Sequence, residues 1–478
     1  MEKPEIYEIT DNAFLPYSDV EALATLPPCS TVSEMWEFCV RTYGDKCAVV
    51  DGQSFTYAQL DADVRAFRGA LAAAGVKREE LVGIALDNSY DFVKAFLSVI
   101  TLGATAVLLP PGDDDILDTF AERTALEFIV SDGERTLPKG TIFIDADATG
   151  ESLSAVKTNP ADGCAVIFTG GRSGKTKGAL LSHRAVMRGT LNGCYGYKGI
   201  IGERYFAVIP FTHVFGLIRN VLTAFYTGSS VYICRQLQSM FCEMREFKPT
   251  VLVLVPALLE AASRLAHRTG GAYFGGEVKN IVVGGAACPA ELVQAYADMG
   301  IKVHNGYGLT ESANLVCGNP VSIDKPGSIG LPYPGQKLKI VDGELWLKGD
   351  NLFDGYIGAE DGDDCAFNDG WFMTGDIIER DADGFLYFRG VKKRVIVLPN
   401  GENISPGELA EKFGASPYLS SVSVFLLENE YGKKELTLEC TLAQAATESD
   451  ARVDIMRING ALPTHKRISK IIFIGETI

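Results

Sequence analysis

Residues 165–183, AVIFTGGRSGKTKGALLSH, concentrate the residue types that hold a phosphate. Gly170, Gly171, Gly174 and Gly178 allow backbone N–H groups to crowd an anion. Thr169, Ser173 and Thr176 add hydroxyl donors, and Arg172, Lys175 and Lys177 add positive charge. A solvated basic turn has the same composition. Gly174-Lys175-Thr176 also supplies the second half of the nucleotide pattern G-x-x-x-x-G-K-[ST]. The first glycine of that pattern would stand at position 169, which holds Thr169. Gly178-Ala179-Leu180-Leu181 then continues as an apolar strand instead of opening a helix. Three further groups carry chemistry. Glu311 closes Tyr307-Gly308-Leu309-Thr310-Glu311, Asp376 closes Thr374-Gly375-Asp376, and His213 is one of only five histidines.

The elements that must position these residues can be read from periodicity. Thr56 and Gln59 make a T-x-x-Q capping box, followed by Leu60, Val64, Phe67 and Leu71 at helical spacing. LVGIAL (81–86) reads as a buried strand. Ser89 then caps a helix carrying Phe92, Phe96 and Val99. ATAVLL, CAVIF, YFAVI, SVYIC, TVLVLV and NIVVG follow as short apolar runs with helical patterns between several of them. Parallel α/β layers are the natural reading. Residues 95–111 carry no charge, but their polar residues and two prolines read as a buried helix and strand, not a membrane span. From about residue 325 to 390 the texture changes to hairpins around Asp342-Gly343 and Asp383-Gly384, which suggests a small antiparallel β unit. A compact α+β texture runs from Arg394 to the end.

At 478 residues the chain has room for several domains, and its 47 % apolar and 22 % charged content is that of a globular protein. A formal charge of −17 gives no general attraction to nucleic acid or anionic lipid. Eleven scattered cysteines without a CxxC pair argue against a zinc ribbon or a disulfide framework. They point, with an N-terminus that has no signal-peptide pattern, to the cytoplasm.

FTGGRSGKTKG resembles the [YF]-T-[SG]-G-[ST]-T-G-x-P-K-G loop of the adenylate-forming superfamily, which includes acyl- and aryl-CoA synthetases. It departs at Arg172, Ser173 and Thr176 and takes glycine instead of serine at Gly170, with the length unchanged. Other stretches resemble the superfamily's remaining motifs in order: SFTYAQLDADVRAFRGALAAAGV (54–76), PFTHVFGL (210–217), VGGAACPAEL (283–292), HNGYGLTES (304–312), PGSIGLPYPG (326–335), GELWLKGDNLFDGY (343–356), GWFMTGD (370–376) and NGENISPGEL (400–409).

The resemblance implies an α/β fold: a large N-terminal body over residues 1–393 made of α/β subdomains plus the β unit, then a small mobile α+β domain over 394–478, with Arg394 at the hinge. It implies a two-step reaction. A carboxylate attacks the α-phosphorus of ATP to give acyl-AMP and pyrophosphate, and a thiol then displaces AMP. It places the β- and γ-phosphates in the loop 169–178 (Thr169, Gly170, Gly171, Arg172, Ser173, Gly174, Lys177), with Thr310 donating to the α-phosphate and Glu311 holding Mg²⁺. Adenine would lie between Tyr307, with Gly308 beside it, and the backbone at Gly285 and Ala286, with Asn305 at its edge. Asp376 would accept both ribose hydroxyls. His213 would be a movable wall between the acyl pocket and the thiol tunnel, and the Gly401 loop would line that tunnel. Val391 stands where the superfamily usually has a ribose-contacting arginine, so Arg389 and Lys392 are the candidate substitutes.

The 210–217 region has no acid for an α-ammonium, which disfavours amino acids. Phe206, Phe211, Phe215 and Leu217 suit a fatty or aryl acid. Coenzyme A is the default thiol. A stand-alone acyl carrier protein remains the alternative acceptor, and a tail-less nucleotide- or acyl-AMP-binding relative the alternative function. The superfamily's last lysine motif would begin near GETI (475–478), and truncation or omission is the expected reason for its absence.

Overall fold

The computed structural model describes the chain outside residues 1–4, 9–12, 110–123, 125, 134–139, 171–175, 267–272, 287, 358–366, 393–395, 398–402, 405, 429–433, 444–445, 464–465 and 475–478. The chain divides into two compact units, one of residues 1–169 and 177–390 and a second of residues 170–176 and 391–478.

Local signals set the first unit's early elements. Gln59 N donates to Thr56 Oγ1 at 3.2 Å, and Thr56 N donates to Gln59 Oε1 at 2.8 Å. This reciprocal cap starts the helix Tyr57–Ala73, which buries Leu60, Val64, Phe67 and Leu71. Ser89 caps the helix Tyr90–Thr101 with its side chain, which accepts from Phe92 N. That helix precedes the buried strand Thr105–Leu108, which pairs in parallel with Leu81–Ala85. Among the described residues, no helix is long and apolar enough to cross a membrane.

Two large sheets organise this unit. The seven-stranded sheet runs Gly355–Ile357, Thr176–Ser182, Gly163–Gly170, Thr105–Leu108, Leu81–Ala85, Phe128–Ser131 and Ile142–Asp145. From Gly163–Gly170 onward its neighbours are parallel. The nine-stranded sheet has a parallel centre of Lys302–Leu309, Asn280–Val283, Val251–Leu254, Arg204–Ala207, Ser230–Ile233 and Cys47–Asp51. Antiparallel strands finish both of its edges. The fully buried strands Thr105–Leu108, Phe128–Ser131, Val251–Leu254 and Asn280–Val283 need apolar runs rather than alternation, and that is what the sequence supplies.

A third sheet contains Lys337–Val341, Glu344–Lys348, Trp371–Arg380, Phe367–Asn368 and Leu386–Val391. Its first hairpin closes on Asp342 (φ 49°) and Gly343 (φ 78°), the two positive φ values a tight two-residue turn requires. The sheet differs from the hairpin unit read at 325–390 in two ways. Glu5–Glu8 adds a strand to its edge against Lys337–Val341. Gly355–Ile357 leaves it and pairs antiparallel with Thr176–Ser182. In both cases an open strand edge finds a partner distant in sequence.

The second unit is α+β. Leu419–Glu428 and Lys434–Leu442 pair antiparallel, and Lys470–Ile474 joins the latter in parallel. The helices Pro406–Gly414 and Glu448–Gly460 complete it. Leu409, Phe413, Leu438, Cys440, Ala451 and Ile455 form its core.

Candidate active site

The parallel strands Asn280–Val283 and Lys302–Leu309 lie side by side, with Val283 opposite Asn305. Their carboxyl ends deliver Gly285 and Ala286 from one strand and Tyr307, Gly308, Thr310 and Glu311 from the other. The ends of parallel strands are where α/β sheets hold ligands. Gly285 has φ 84°, a conformation that favours glycine. Gly308 is fixed by crowding: a Cβ there would sit 2.2 Å from the Asn314 carbonyl oxygen. Asn305 is buried, its Nδ2 donates to the Ser328 carbonyl at 3.0 Å, and its Oδ1 has no partner.

Asp376 is 4 % exposed in the strand Trp371–Arg380 and is reached by the Tyr307 hydroxyl, which donates to Oδ2 at 2.6 Å. Burial, followed by the charge of Asp376, pushes the Tyr307 phenol well above its ordinary pKa, so it remains a donor. Asp376 N donates to Thr374 Oγ1 at 3.1 Å, and Thr374 Oγ1 donates to the Leu345 carbonyl at 2.7 Å. The carboxylate expected on the ribose is thus held by a residue expected beside the adenine.

Glu311 has a matching arrangement. It is 9 % exposed and lies in the short 3₁₀ helix Thr310–Ser312. The Tyr356 hydroxyl donates to its Oε1 at 2.6 Å. Lys177 Nζ stands 5.1 Å from the centroid of the Tyr356 ring. Strand pairing explains the meeting, because Tyr356 lies opposite Ala179 and Ile357 opposite Gly178. Phe353 N donates to the Glu311 carbonyl at 2.9 Å, and Asn351 Nδ2 to the Ser312 carbonyl at 3.0 Å, which fixes the segment. Tyr356 was not among the site residues read from the sequence. Its only signal there is its place at the end of GELWLKGDNLFDGY. A carboxylate with one oxygen anchored by a hydroxyl fits a hard dication such as Mg²⁺. If Tyr356 orients Glu311, Tyr356→Phe weakens Mg²⁺-dependent ATP binding about tenfold, the scale of one hydrogen bond to a charged group. Calorimetric titration of ATP with and without Mg²⁺ checks this, and an equal loss without Mg²⁺ would rule the role out.

His213 is exposed, and desolvation by its neighbours nevertheless lowers its imidazole pKa, which favours the neutral ring at pH 7. Asn88 holds the approach to it: Nδ2 donates to the Ile209 carbonyl at 2.9 Å and Oδ1 accepts from Phe211 N at 2.7 Å. A π-helix, Phe215–Leu222, follows. Such turns often mark functional sites. A Cβ on Gly216 would stand 2.1 Å from the Pro210 carbonyl oxygen, so only glycine allows the loop and helix to meet this closely. A Cβ on Gly284 would lie 3.2 Å from Phe215 Cζ and 3.3 Å from Leu315 Cδ2. The segment after His213 therefore packs at the same strand ends.

Thr169 is half-buried near the end of the strand Gly163–Gly170. Gly171, Arg172, Ser173, Gly174, Arg394 and Gly401 lie outside the described residues. Val391 is 52 % exposed, and Arg389 Nε pairs with Glu379 Oε2 at 2.8 Å. A ribose role for Arg389 would require it to leave that partner.

The AMP-binding enzyme family model matches residues 36–357. A long-chain-fatty-acid–CoA ligase of Mycobacterium bovis is 29 % identical over 343 residues, covering 61 % of this chain and 56 % of that protein. The indoleacetate–CoA ligase of Aromatoleum aromaticum is 25 % identical over 464 residues, covering 89 % and 90 %. The matched region thus spans little more than half of the first relative and most of the second. Among solved structures, the o-succinylbenzoate CoA synthetase of Bacillus subtilis in complex with its acyl-adenylate intermediate superposes with a TM-score of 0.71 at 22 % identity, over 92 % of this chain and 94 % of that one. A Mycobacterium tuberculosis fatty acyl CoA synthetase gives 0.70 at 22 % identity, over 93 % and 94 %. At these identities the structural likeness is one of fold.

Proposed function

Because the chain belongs to the AMP-binding enzyme family, we propose that it is an ATP-dependent acid–thiol ligase. The acid's carboxylate oxygen attacks the α-phosphorus of ATP and pyrophosphate leaves. The sulfur of coenzyme A then attacks the acyl carbon, its thiol proton is lost, and AMP leaves. The observation that carries this reading is the pair of buried carboxylates, Asp376 and Glu311, each held by a tyrosine hydroxyl.

In this reading Asp376 accepts from the ribose, and Tyr307, Gly308, Gly285 and Ala286 enclose the adenine with Asn305 at its edge. Thr310 donates to the α-phosphate. Thr169, Lys177 and the loop between them take the outer phosphates. Glu311 would hold Mg²⁺, which when bound neutralises phosphate charge. The protein's share of the first step is positioning and charge stabilisation. His213, with a lowered pKa that favours the neutral ring, would be the wall between the acyl pocket and the thiol tunnel and steer the second step without carrying a proton. The hinge at Arg394 and the thiol tunnel at Gly401 belong to the same proposal, as does the division into residues 1–393 and 394–478. Fatty or aryl acids are the proposed substrates on the strength of the half-buried Phe215 at the strand ends; Phe206, Phe211 and Leu217, offered with it by the sequence, are buried in the core. A carrier protein's phosphopantetheine arm is the competing acceptor. The described cysteines are free thiols, which supports a cytoplasmic location.

The test is a panel of acetate, octanoate, palmitate and a coumarate-like acid, each with ATP, Mg²⁺ and coenzyme A. We expect pyrophosphate release that requires an acid, and acyl-CoA detected by mass spectrometry. Supplying chemically made acyl-AMP tests the second step by itself. Failure of both steps with every acid, alongside intact AMP binding, would favour a nucleotide-binding protein.

A further inference from the structure

Glu344 is a buried carboxylate to which the proposed reaction gives no task. It is 4 % exposed and opens the strand Glu344–Lys348, directly after the Asp342-Gly343 turn. Burying a carboxylate is costly unless its oxygens are bonded. Its Oε1 accepts from Gly375 N at 2.8 Å. Gly375 immediately precedes Asp376, the proposed ribose acceptor.

Strand pairing shows why Gly375 needs such a partner. Glu344 lies opposite Ile377, and Trp346 lies opposite Met373. Leu345 alone therefore faces Thr374, Gly375 and Asp376, so the strand Trp371–Arg380 carries two extra residues there. A bulge of this kind takes residues out of the ladder, and their backbone groups need other partners. Two of its N–H groups go to side chains. Gly375 N reaches Glu344, and Asp376 N donates to Thr374 Oγ1 at 3.1 Å. The Thr374 hydroxyl donates in turn to the Leu345 carbonyl at 2.7 Å, which ties the bulge to the partner strand. Gly375 takes φ 68°, which favours glycine.

An insertion of two keeps the alternation of faces, and Phe372, Thr374, Asp376 and Ile378 are all buried. What it changes is position along the strand. Returning the two residues to the ladder would carry Asp376 about 7 Å along the strand. That distance takes its carboxylate out of reach of the Tyr307 hydroxyl, which now donates to Oδ2 at 2.6 Å from a strand of another sheet. Bulges beside active sites commonly re-aim a side chain in this way.

We propose that Glu344 is a positioning residue for Asp376: its carboxylate holds the bulge that aims the ribose acceptor. The inference rests on the ligase reading through the place of Asp376 on the ribose. Hydrogen bonds to a carboxylate are roughly twice as strong as neutral ones, so Glu344 is the firm anchor of the turn.

The test uses the full chain and two nucleotides, AMP and 2′,3′-dideoxy-AMP, by calorimetric titration. The second lacks the hydroxyls that Asp376 would accept. Native protein should bind AMP at least tenfold tighter than the dideoxy nucleotide, the scale of hydrogen bonds to a charged group. Glu344→Leu should bring that ratio close to one while changing the dideoxy affinity less than about twofold. Glu344→Gln offers Gly375 N an amide oxygen at the same reach and should keep most of the ratio. Glu344→Asp keeps the charge but is one methylene short, and should lose most of it. If Glu344→Leu does not fold, the contrast between the glutamine and aspartate variants decides. A ratio that stays native in Glu344→Leu and Glu344→Asp overturns the inference and leaves the ligase reading standing. So does an equal loss for both nucleotides, or a ratio kept by aspartate and lost by glutamine. Native protein that binds both nucleotides equally removes Asp376 from the ribose, and the inference with it. Native protein that binds neither removes the ligase reading as well.

Discussion

Asp376→Ala is expected to remove most of the heat protection that AMP and ATP give the intact protein. A ligand at one hundred times its Kd stabilises a protein by about 2.7 kcal/mol, and a hundredfold loss of affinity cancels nearly all of that. The expectation follows from the site's architecture. Asp376 is buried at 4 % exposure and is held in place by Tyr307 and Thr374. A buried carboxylate that accepts ribose hydroxyls loses little entropy when it does so. Alanine removes the acceptor and leaves the Tyr307 hydroxyl without its partner, so some intrinsic stability goes as well. Asp376→Asn separates the two effects. It keeps an oxygen for Tyr307 but loses the charge, and should retain native stability better than alanine while still losing much nucleotide affinity. The measurement is melting temperature against AMP concentration for all three proteins. Equal shifts in native and alanine proteins would remove Asp376 from the nucleotide site.

What the sequence made legible was local or compositional. The cap at Thr56 and Gln59 involves residues three apart. The apolar runs that became buried parallel strands carry their burial in their composition. What it hid depends on long-range pairing. Glu5–Glu8 finds Lys337–Val341 more than three hundred residues later, and nothing in four residues announces that. The Tyr307–Asp376 bond joins residues 69 apart in different sheets. Each was read as a separate ligand to one nucleotide, when they are also partners of each other. Tyr356 meets Glu311 only because its strand adds to the edge at Thr176–Ser182. The π-helix is hidden for another reason. Leu217, Ile218, Val221 and Leu222 fit an ordinary helical stripe equally well, so periodicity does not register the altered turn. Arg219 and Asn220, the two polar residues of that run, are both buried.

The first unit should lose stability steeply below pH 6.5 because of two histidines outside the proposed chemistry. His183 is buried, and its Nδ1 accepts from Val32 N at 3.3 Å. Burial lowers its pKa to about 4. His304 is lowered to about 3, first by burial and then by the charges of Arg219 and Lys302. In the unfolded chain both return to about 6.5. Above that value neither state binds the proton, and these residues add no pH dependence. As the pH falls below 6.5 the unfolded chain takes up protons that the folded one refuses. Stability is therefore lost progressively down to about pH 4 for His183 and about pH 3 for His304. Each histidine contributes a slope of up to about 1.4 kcal/mol per pH unit. Together, over two pH units, that is about 5 kcal/mol, comparable with the whole stability of many domains. All three tryptophans (Trp36, Trp346 and Trp371) lie in the first unit, so tryptophan fluorescence follows its unfolding apart from the second. Urea titrations at pH 7.5, 6.0 and 5.0 should show the native midpoint falling with pH. His183→Asn offers Val32 an oxygen in place of Nδ1, and His304→Gln keeps a polar group toward Asn280. Each variant should start less stable at pH 7.5 yet fall more gently with acid. Slopes in both variants as steep as the native one would show that other groups carry the acid sensitivity.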